Sequence, residues 1–361
     1  MPCSTYLPQK HESIKDLCFG GYNLHLDINF EDGVTWIARF RLLQINRPSV
    51  ERVNFDRLSE VATYNYLLTR TNVPVPVIYA YVLDGERDNP VGVGYIMMEK
   101  LLGRPMNWLA ASAAQKAAIF HQLRDIYIEL EKIPSSLMGR PVPPEKPNAI
   151  TSGPPFFYYD EDGKSLPCPP IANAHEWHAA VLYYRRDLIA NGEIAVQNPS
   201  DALLVNKYLS EHLDNLINPA YSFHQFFLKH IDTRDCNFLV DDDYKITGII
   251  DWEMALFAPK DSALQSPLFM VDVSSLYEGN PVTSSDEERF AQEFEEFGRR
   301  DIAEIIRDSK KIRCLEFSMY EDPYNRESFE GLFAGAWRCI EGEEKEFSWQ
   351  KFRDQAKKAT I

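Results

Sequence analysis

Residues 230–253 read His230-Ile231-Asp232-Thr233-Arg234-Asp235-Cys236-Asn237-Phe238-Leu239-Val240-Asp241-Asp242-Asp243-Tyr244-Lys245-Ile246-Thr247-Gly248-Ile249-Ile250-Asp251-Trp252-Glu253. Phe238-Leu239-Val240 is a short apolar strand, Asp241 to Tyr244 is polar turn material, and Lys245 to Ile250 is rich in β-branched residues. The pattern predicts an antiparallel hairpin, which returns its two ends to the same place. Asn237, entering it, and Asp251, leaving it, should therefore sit side by side, with Asp232 just upstream.

A carboxylate and a carboxamide oxygen held together make a hard-oxygen site suited to Mg²⁺, which keeps waters and substrate phosphates as its other ligands. A separate carboxylate nearby can orient a hydroxyl or accept its proton. These are the parts that phosphoryl transfer needs. An EF-hand reading of the same acids fails. Counting from Asp241, the sixth position is Ile246 where the loop needs Gly, and the twelfth is Trp252 where it needs Glu; counting from Asp242, the third is Tyr244. Asp241 to Asp243 read as a solvated turn.

Upstream, Leu24, Leu26, Ile28 and Phe30 alternate with polar residues, Glu31-Asp32-Gly33 turns, and Val34 to Leu43 returns around Trp36-Ile37-Ala38-Arg39-Phe40. Phe19-Gly20-Gly21-Tyr22 precedes the first long strand. Gly20 and Gly21 would let backbone amides approach a nucleotide phosphate, although a plain turn reads the same way. A helix is predicted over about Val50 to Thr69, with Glu60 on the stripe of Tyr64 and Leu67. A half-buried carboxylate needs a cation, and Arg39 is the obvious one; an ordinary surface salt bridge is the plainer alternative. Val73-Pro74-Val75-Pro76 leads into another strand, and Val91 to Met98 is a further one. Glu99-Lys100-Leu101-Leu102-Gly103 then has the look of a hinge between two lobes, whose backbone at Glu99 to Leu101 can meet an adenine edge, although a plain strand end reads the same way.

Beyond the hinge, Ser112 should cap a helix whose buried stripe is Ile119, Leu123, Ile126, Leu130 and Ile133. Residues 134–172 hold many prolines and glycines and read as a long irregular segment. Asn173 to Ala190 and Asp201 to Leu216 read as helices; His175 and His178 lack a third metal ligand and read as surface histidines. Met254 to Asp272 reads as irregular, Asp286 to Asp308 as one charged helix, and residues 309–340 and 347–358 as closing helices with Phe333 and Trp337 in the core.

The composition, 45% hydrophobic and 25% charged over 361 residues, is that of a globular protein able to form two lobes. The net charge of −16 argues against a nucleic-acid surface and is compatible with a cationic substrate. The six cysteines are scattered without a Cys-x-x-Cys pair, which fits reduced thiols better than a disulfide framework or a zinc site. No apolar run is long enough for a membrane span, and Met1-Pro2-Cys3-Ser4-Thr5-Tyr6 lacks the features of a signal peptide. A cytoplasmic location is expected.

The loop His230-Ile231-Asp232-Thr233-Arg234-Asp235-Cys236-Asn237, its hairpin and Ile249-Ile250-Asp251-Trp252-Glu253 resemble the signature of the aminoglycoside phosphotransferase family within the kinase-like superfamily, in the style of its fungal members. The resemblance extends by element order over roughly residues 15–340. It implies an α+β, protein-kinase-like two-lobe fold: a small β-rich N-lobe over residues 1–101 and a larger, mainly helical C-lobe over 102–361. It implies ATP and Mg²⁺ as cofactors, Asp232 as the hydroxyl-orienting or basic residue, Asn237 and Asp251 as metal ligands, Arg39 on the ATP phosphates and Glu60 holding Arg39. Three departures stand out: Ile231 replaces the usual Gly, Arg39 the usual Lys, and the glycine loop is short. Phe257-Ala258-Pro259-Lys260 is not the Ala-Pro-Glu element of protein kinases, so a small-molecule hydroxyl, with a cationic amine as a further expectation, is favoured over a protein acceptor. The alternative is a non-catalytic kinase-like protein that binds nucleotide or a partner.

Overall fold

A computed structural model of the chain describes residues 17–19, 22–42, 49–144, 146, 149–159, 165–192, 196, 198–320 and 326–359. The backbone divides into two compact units. One comprises Met1–Ile133, Arg140–Cys168 and His230–Leu256; the other comprises Pro134–Gly139, Pro169–Lys229 and Phe257–Ile361. The first unit thus holds residues from both sides of the boundary expected at residue 101, the hairpin included.

In the first unit, strands β1 (Leu17–Phe19), β2 (Asn23–Asn29), β3 (Thr35–Arg41), β4 (Ile78–Val82) and β5 (Tyr95–Glu99) form one antiparallel sheet in the order β1-β2-β3-β5-β4. The alternation read from Leu24 to Leu43 is this β2–β3 pair, in register His25 to Arg39. Between β3 and β4 runs helix α1 (Val50–Arg70), capped by the Ser49 hydroxyl, which accepts from the Arg52 amide. Glu60, Tyr64 and Leu67 are all buried, so the predicted stripe is the inward face.

After β5, β6 (Arg104–Pro105) joins β12 (Phe238–Val240) and β13 (Ile246–Ile249) in a three-stranded sheet. Helix α2 (Ala113–Leu130) starts at Ser112 with a reciprocal capping box to Gln115. The Gln122 side chain of α2 donates to the Tyr244 carbonyl at 3.0 Å and accepts from the Ile246 amide at 2.7 Å, clamping the end of the β12–β13 hairpin. Asp241 Oδ1 accepts from the Asp243 and Lys245 amides, so the acidic turn is a self-capping turn, as read.

Residues 134–172 differ from the irregular segment expected. They contain two short hairpins, β7 (Arg140–Val142) with β8 (Thr151–Gly153) and β9 (Phe157–Tyr159) with β10 (Ser165–Pro167). Three-residue strands are too short to show a period of two, and prolines at Pro141 and Pro167 disguised them further. Arg140 pairs with Asp56 of α1, which explains a buried arginine in such a strand.

The second unit is mainly helical: α3 (Ala174–Ala190), α4 (Pro199–Glu211), α5 (Leu213–Leu216), α6 (Lys260–Ala263), α7 (Val273–Tyr277), α8 (Ser285–Glu296), α9 (Arg300–Asp308), α10 (Lys310–Tyr320), α11 (Arg326–Glu341) and α12 (Trp349–Ala359), with a small sheet of β11 (Phe227–Lys229) and β14 (Leu256–Ala258). Asn173 caps α3 as expected. The single charged helix read over 286–308 is two helices. Gly298 takes φ +87° and the Arg299 amide bonds back to the Phe294 carbonyl at 2.8 Å, the glycine stop of a Schellman motif. Residues 254–272, read as irregular, contain β14 and α6. His178 is not on the surface. It is 2% exposed, its Nδ1 is 2.7 Å from the Ala174 carbonyl, and burial pushes its pKa down to about 4. Phe333 is buried and Trp337 half-buried. Among the described residues, no helix is long and apolar enough to cross a membrane.

Candidate active site

The hairpin register pairs Phe238 with Ile249, and the Ile250 amide donates to the Asn237 carbonyl at 3.0 Å. The pairing therefore continues one residue beyond the strands and sets Asn237 beside Ile250 and its successor Asp251. Asp251 has φ +63°, a left-handed conformation that Asp tolerates better than most residues. The chain reverses there: Trp252 is buried, with its Nε1 donating to the Ile249 carbonyl at 3.1 Å, while the Asp251 side chain keeps 40% exposure.

The loop before the hairpin is fixed from inside. His230 Nε2 donates to the Ile250 carbonyl at 2.9 Å, and His230 Nδ1 accepts the Asp232 amide at 3.1 Å. The two bonds require the neutral ring with its proton on Nε2, and burial, which lowers the His230 pKa, agrees. The Asn237 side-chain amide donates to the Asp232 carbonyl at 2.9 Å, and Asp235 accepts the Trp108 amide at 3.0 Å. Ile231, in place of the expected Gly, is 45% exposed, so its bulk points away from these contacts.

Arg39 of β3 joins the hairpin to α1. Its Nη1 donates to Glu60 Oε1; its Nη2 donates to Asp251 Oδ1 at 3.1 Å and to Glu253 Oε2. Arg39 and Glu60 are 7% and 5% exposed, so the predicted strand-to-helix pair exists and is buried. Burial alone would lower the Arg39 pKa, but Glu60 and Asp251 outweigh it and hold the guanidinium charged. Glu253 also pairs with Arg41 and accepts from Asn23 Nδ2 at 3.0 Å. Three residues that the sequence reading did not single out, Asn23, Arg41 and Glu253, thus belong to the same network. One signal was available: Arg41 lies two residues after Arg39, hence on the same face of β3.

Asp232 carries a second unanticipated partner. Arg234 grips it with two nitrogens, Nε to Oδ1 at 2.7 Å and Nη2 to Oδ2. Burial opposes ionisation of Asp232, yet Arg234 and Asn237 more than offset it and hold the carboxyl below its usual range.

Glu99 and Leu101 lie at the end of β5 and in the connector after it. The Glu99 amide is already given to the Val77 carbonyl at 2.9 Å, whereas among the described residues the Leu101 amide makes no hydrogen bond. The Leu101 side chain packs so closely on Gly248 that a Cβ there would lie 2.4 Å from its Cδ1. Gly20 and Gly21 lie outside the described residues. No three His, Cys, Asp or Glu side chains gather as a metal site among the described residues. A cation would depend on Asn237 Oδ1 and the Asp251 carboxylate plus non-protein oxygens, a donor set that suits Mg²⁺.

An antiparallel sheet and buried Arg–Glu pair in one half of the sequence, a His-x-Asp-x-x-x-x-Asn loop with its hairpin in the other, and a helical remainder define a kinase-like phosphotransferase fold. Residues 31–259 match the APH family model, described as the Phosphotransferase enzyme family, and the chain belongs to that family. It is 26% identical over 275 residues to the Clavilactone A biosynthesis cluster protein Y of Ampulloclitocybe clavipes, covering 73% of this chain and 65% of that protein. A subtelomeric hrmA-associated cluster protein of Aspergillus fumigatus is 31% identical over 115 residues, 31% of this chain and 21% of that one. The chain thus spans less than two thirds of the length of these curated relatives. Among solved structures, one described as a fructosamine-3-kinase from Thermobifida fusca YX-ER1 superposes with a TM-score of 0.51 at 15% identity, covering 93% of this chain and 94% of that one. A thermostable mutant of aminoglycoside phosphotransferase APH(4)-Ia, in ternary complex with AMP-PNP and hygromycin B, gives 0.50 at 13% identity, with 95% of each chain covered. At these identities the structures bear on the fold alone.

Proposed function

We propose that the chain is an ATP- and Mg²⁺-dependent phosphotransferase whose acceptor is a hydroxyl of a small molecule. The observation that carries this reading is Arg39, which binds Glu60 with one nitrogen and reaches Asp251 with the other. The cation that would hold nucleotide phosphates is thereby placed beside a hard-oxygen pair able to hold their metal. Mg²⁺ bound by Asn237 and Asp251 would supply charge neutralisation on the transferring phosphoryl group. Glu60 and Glu253 orient the Arg39 fork. The Leu101 amide offers an adenine-edge donor.

Asp232 orients the acceptor hydroxyl. With its carboxyl held below the usual range it is a weak base, better suited to aligning the nucleophile than to removing its proton early. That suits a loose phosphoryl-transfer transition state, in which the acceptor contributes little bond formation. The acidic composition and the aminoglycoside-bound neighbour support an amine-bearing acceptor. Labelled ATP with a library of amines and sugars tests the reading. Transfer should be found for at least one acceptor and fall steeply in Asp232→Asn and Asp251→Asn.

The bidentate Arg234 grip on Asp232 favours a second reading, a nucleotide-binding protein without transfer. A Mg²⁺-dependent ATP thermal shift with no transfer across the library would establish it. Absence of both shift and transfer would end both readings.

A further inference from the structure

In the second unit, two cysteines face each other. Cys314 in α10 and Cys339 in α11 have their Sγ atoms 4.0 Å apart. Cys314 is fully buried, whereas Cys339 retains partial exposure. Gly335, one turn before Cys339 on α11, lies against the same thiol: a Cβ there would be in ordinary van der Waals contact with the Cys314 sulfur, at 3.5 Å. Lys310, at the start of α10, pairs with Glu343 just beyond α11, tying the same two helices together beside the sulfurs. Neither thiol is used by the proposed chemistry.

We infer that Cys314 and Cys339 form a redox-reversible modification site, in which a peroxide converts the thiol pair into an intrachain disulfide joining α10 to α11. The division of labour follows from the surroundings. The two sulfurs are hydrogen-bonded to each other, and Lys310 and Lys311 add positive charge. Together these lower the Cys339 pKa against the opposing effect of burial. The same hydrogen bond, with burial, raises the Cys314 pKa and keeps that thiol protonated. Cys339 is the more exposed sulfur, the one a peroxide reaches first.

The Cys339 thiolate attacks one peroxide oxygen. The S–O bond forms, the O–O bond breaks, and hydroxide leaves and is protonated to water. The Cys314 sulfur then attacks the Cys339 sulfenic sulfur. The S–S bond forms, the S–O bond breaks, and the departing hydroxide takes the Cys314 proton as a second water. Two thiols are oxidised and one hydrogen peroxide is reduced to two waters. The sulfurs need only close from van der Waals contact to bonding distance, about 2 Å. A bridge between residues 314 and 339 closes a loop that the unfolded chain would otherwise leave open, so the oxidised form should unfold at a higher temperature.

The test uses the full chain, reduced, desalted and treated with equimolar hydrogen peroxide. Free thiols are counted after denaturation, and peptides are mapped without reduction. The expected result is loss of two of the six thiols, a cross-linked peptide containing Cys314 and Cys339, full reversal by dithiothreitol, and a rise of several degrees in the unfolding midpoint. Cys314→Ala should instead leave Cys339 as a sulfenic acid trapped by dimedone. Cys339→Ser, at the more exposed position, should abolish the two-thiol loss. The proposal is overturned if wild-type protein loses no thiols, if Cys339 proceeds to sulfinic acid without cross-linking, or if the cross-link joins other cysteines. The wild-type peptide map decides the matter even if a variant fails to fold.

Discussion

Two charged clusters, one in each compact unit, use the same side-chain chemistry to different ends. In the first unit, Arg39 and Arg41 face Glu60, Asp251 and Glu253, and Asp251 opens to solvent. In the second, Lys229 Nζ is held by both Glu316 oxygens at 2.7 Å and by the Ser262 hydroxyl at 3.0 Å, Gln265 donates to the same carboxylate, and Asp261 is buried nearby. The second cluster is closed, since the lysine's three donors all have acceptors within the unit. The first is open, because its outermost carboxylate keeps capacity to bind something else. A buried ion pair says little by itself about function; the exposure of its last member separates the two cases.

The contrast breaks if either cluster behaves like the other. The largest effect is expected in the loop beside the first: Asp232→Asn should reduce phosphoryl transfer by about 10²- to 10⁴-fold, with an unfolding midpoint close to wild type. Equal transfer by the variant would remove Asp232 from the chemistry. Next comes Lys229→Met in the closed cluster, which strands Glu316. It should destabilise the protein by about 3 kcal/mol in urea unfolding, the low end for a broken buried pair because both charged heads keep slight exposure. An unchanged midpoint would show that the cluster is not structural.

Asp261→Asn should act in the opposite direction. Burial, with Glu316 adding to it, pushes the Asp261 carboxyl up to about 6. The folded state then holds that proton more tightly than the unfolded chain does. The resulting penalty is absent below about pH 4, grows as pH rises, and is complete above about pH 6. The variant should therefore be more stable by roughly 2–3 kcal/mol at pH 8, with the advantage shrinking toward pH 4. A gain independent of pH would refute the assignment. The smallest effect is expected for Arg234→Gln. Freed from its partner, Asp232 should titrate higher, moving the acid limb of the kcat/KM profile upward while changing transfer at neutral pH by less than about tenfold. An unmoved acid limb would mean that Arg234 does not control that carboxyl.

The parts legible in the sequence were those encoded by local pattern. The hairpin from Phe238, the helix bearing Glu60, the Ser112 and Asn173 caps and the β2–β3 alternation all follow from periods of 2 or 3.6 and from capping chemistry. The Arg39–Glu60 pair was legible because a carboxylate on an inward stripe demands a cation. What escaped depends on distant contacts or on short elements. Glu253 and Asn23 meet only across 230 residues of chain, and no spacing announces them. The Arg234 grip was local but ambiguous, since an exposed arginine two residues from an aspartate usually points into water. Residues 140–167 hid their strands in three-residue lengths, and His178 was misplaced because a helical i−4 carbonyl can satisfy a ring that periodicity alone leaves outside.

The clamp that Gln122 places on the hairpin has a practical side. A polar four-residue turn of three aspartates and a tyrosine would ordinarily be a natural place to splice in a tag or a fluorophore-bearing loop. Here the turn carbonyl of Tyr244 and the amide of Ile246 are held by one side chain from α2, and the Tyr244 ring is buried. Lengthening residues 241–244 would unlatch the hairpin at its far end and loosen the spacing between Asn237 and Asp251, so a graft site is better sought at the Glu86–Asn89 bend, where Glu86, Arg87 and Asp88 stand in solvent.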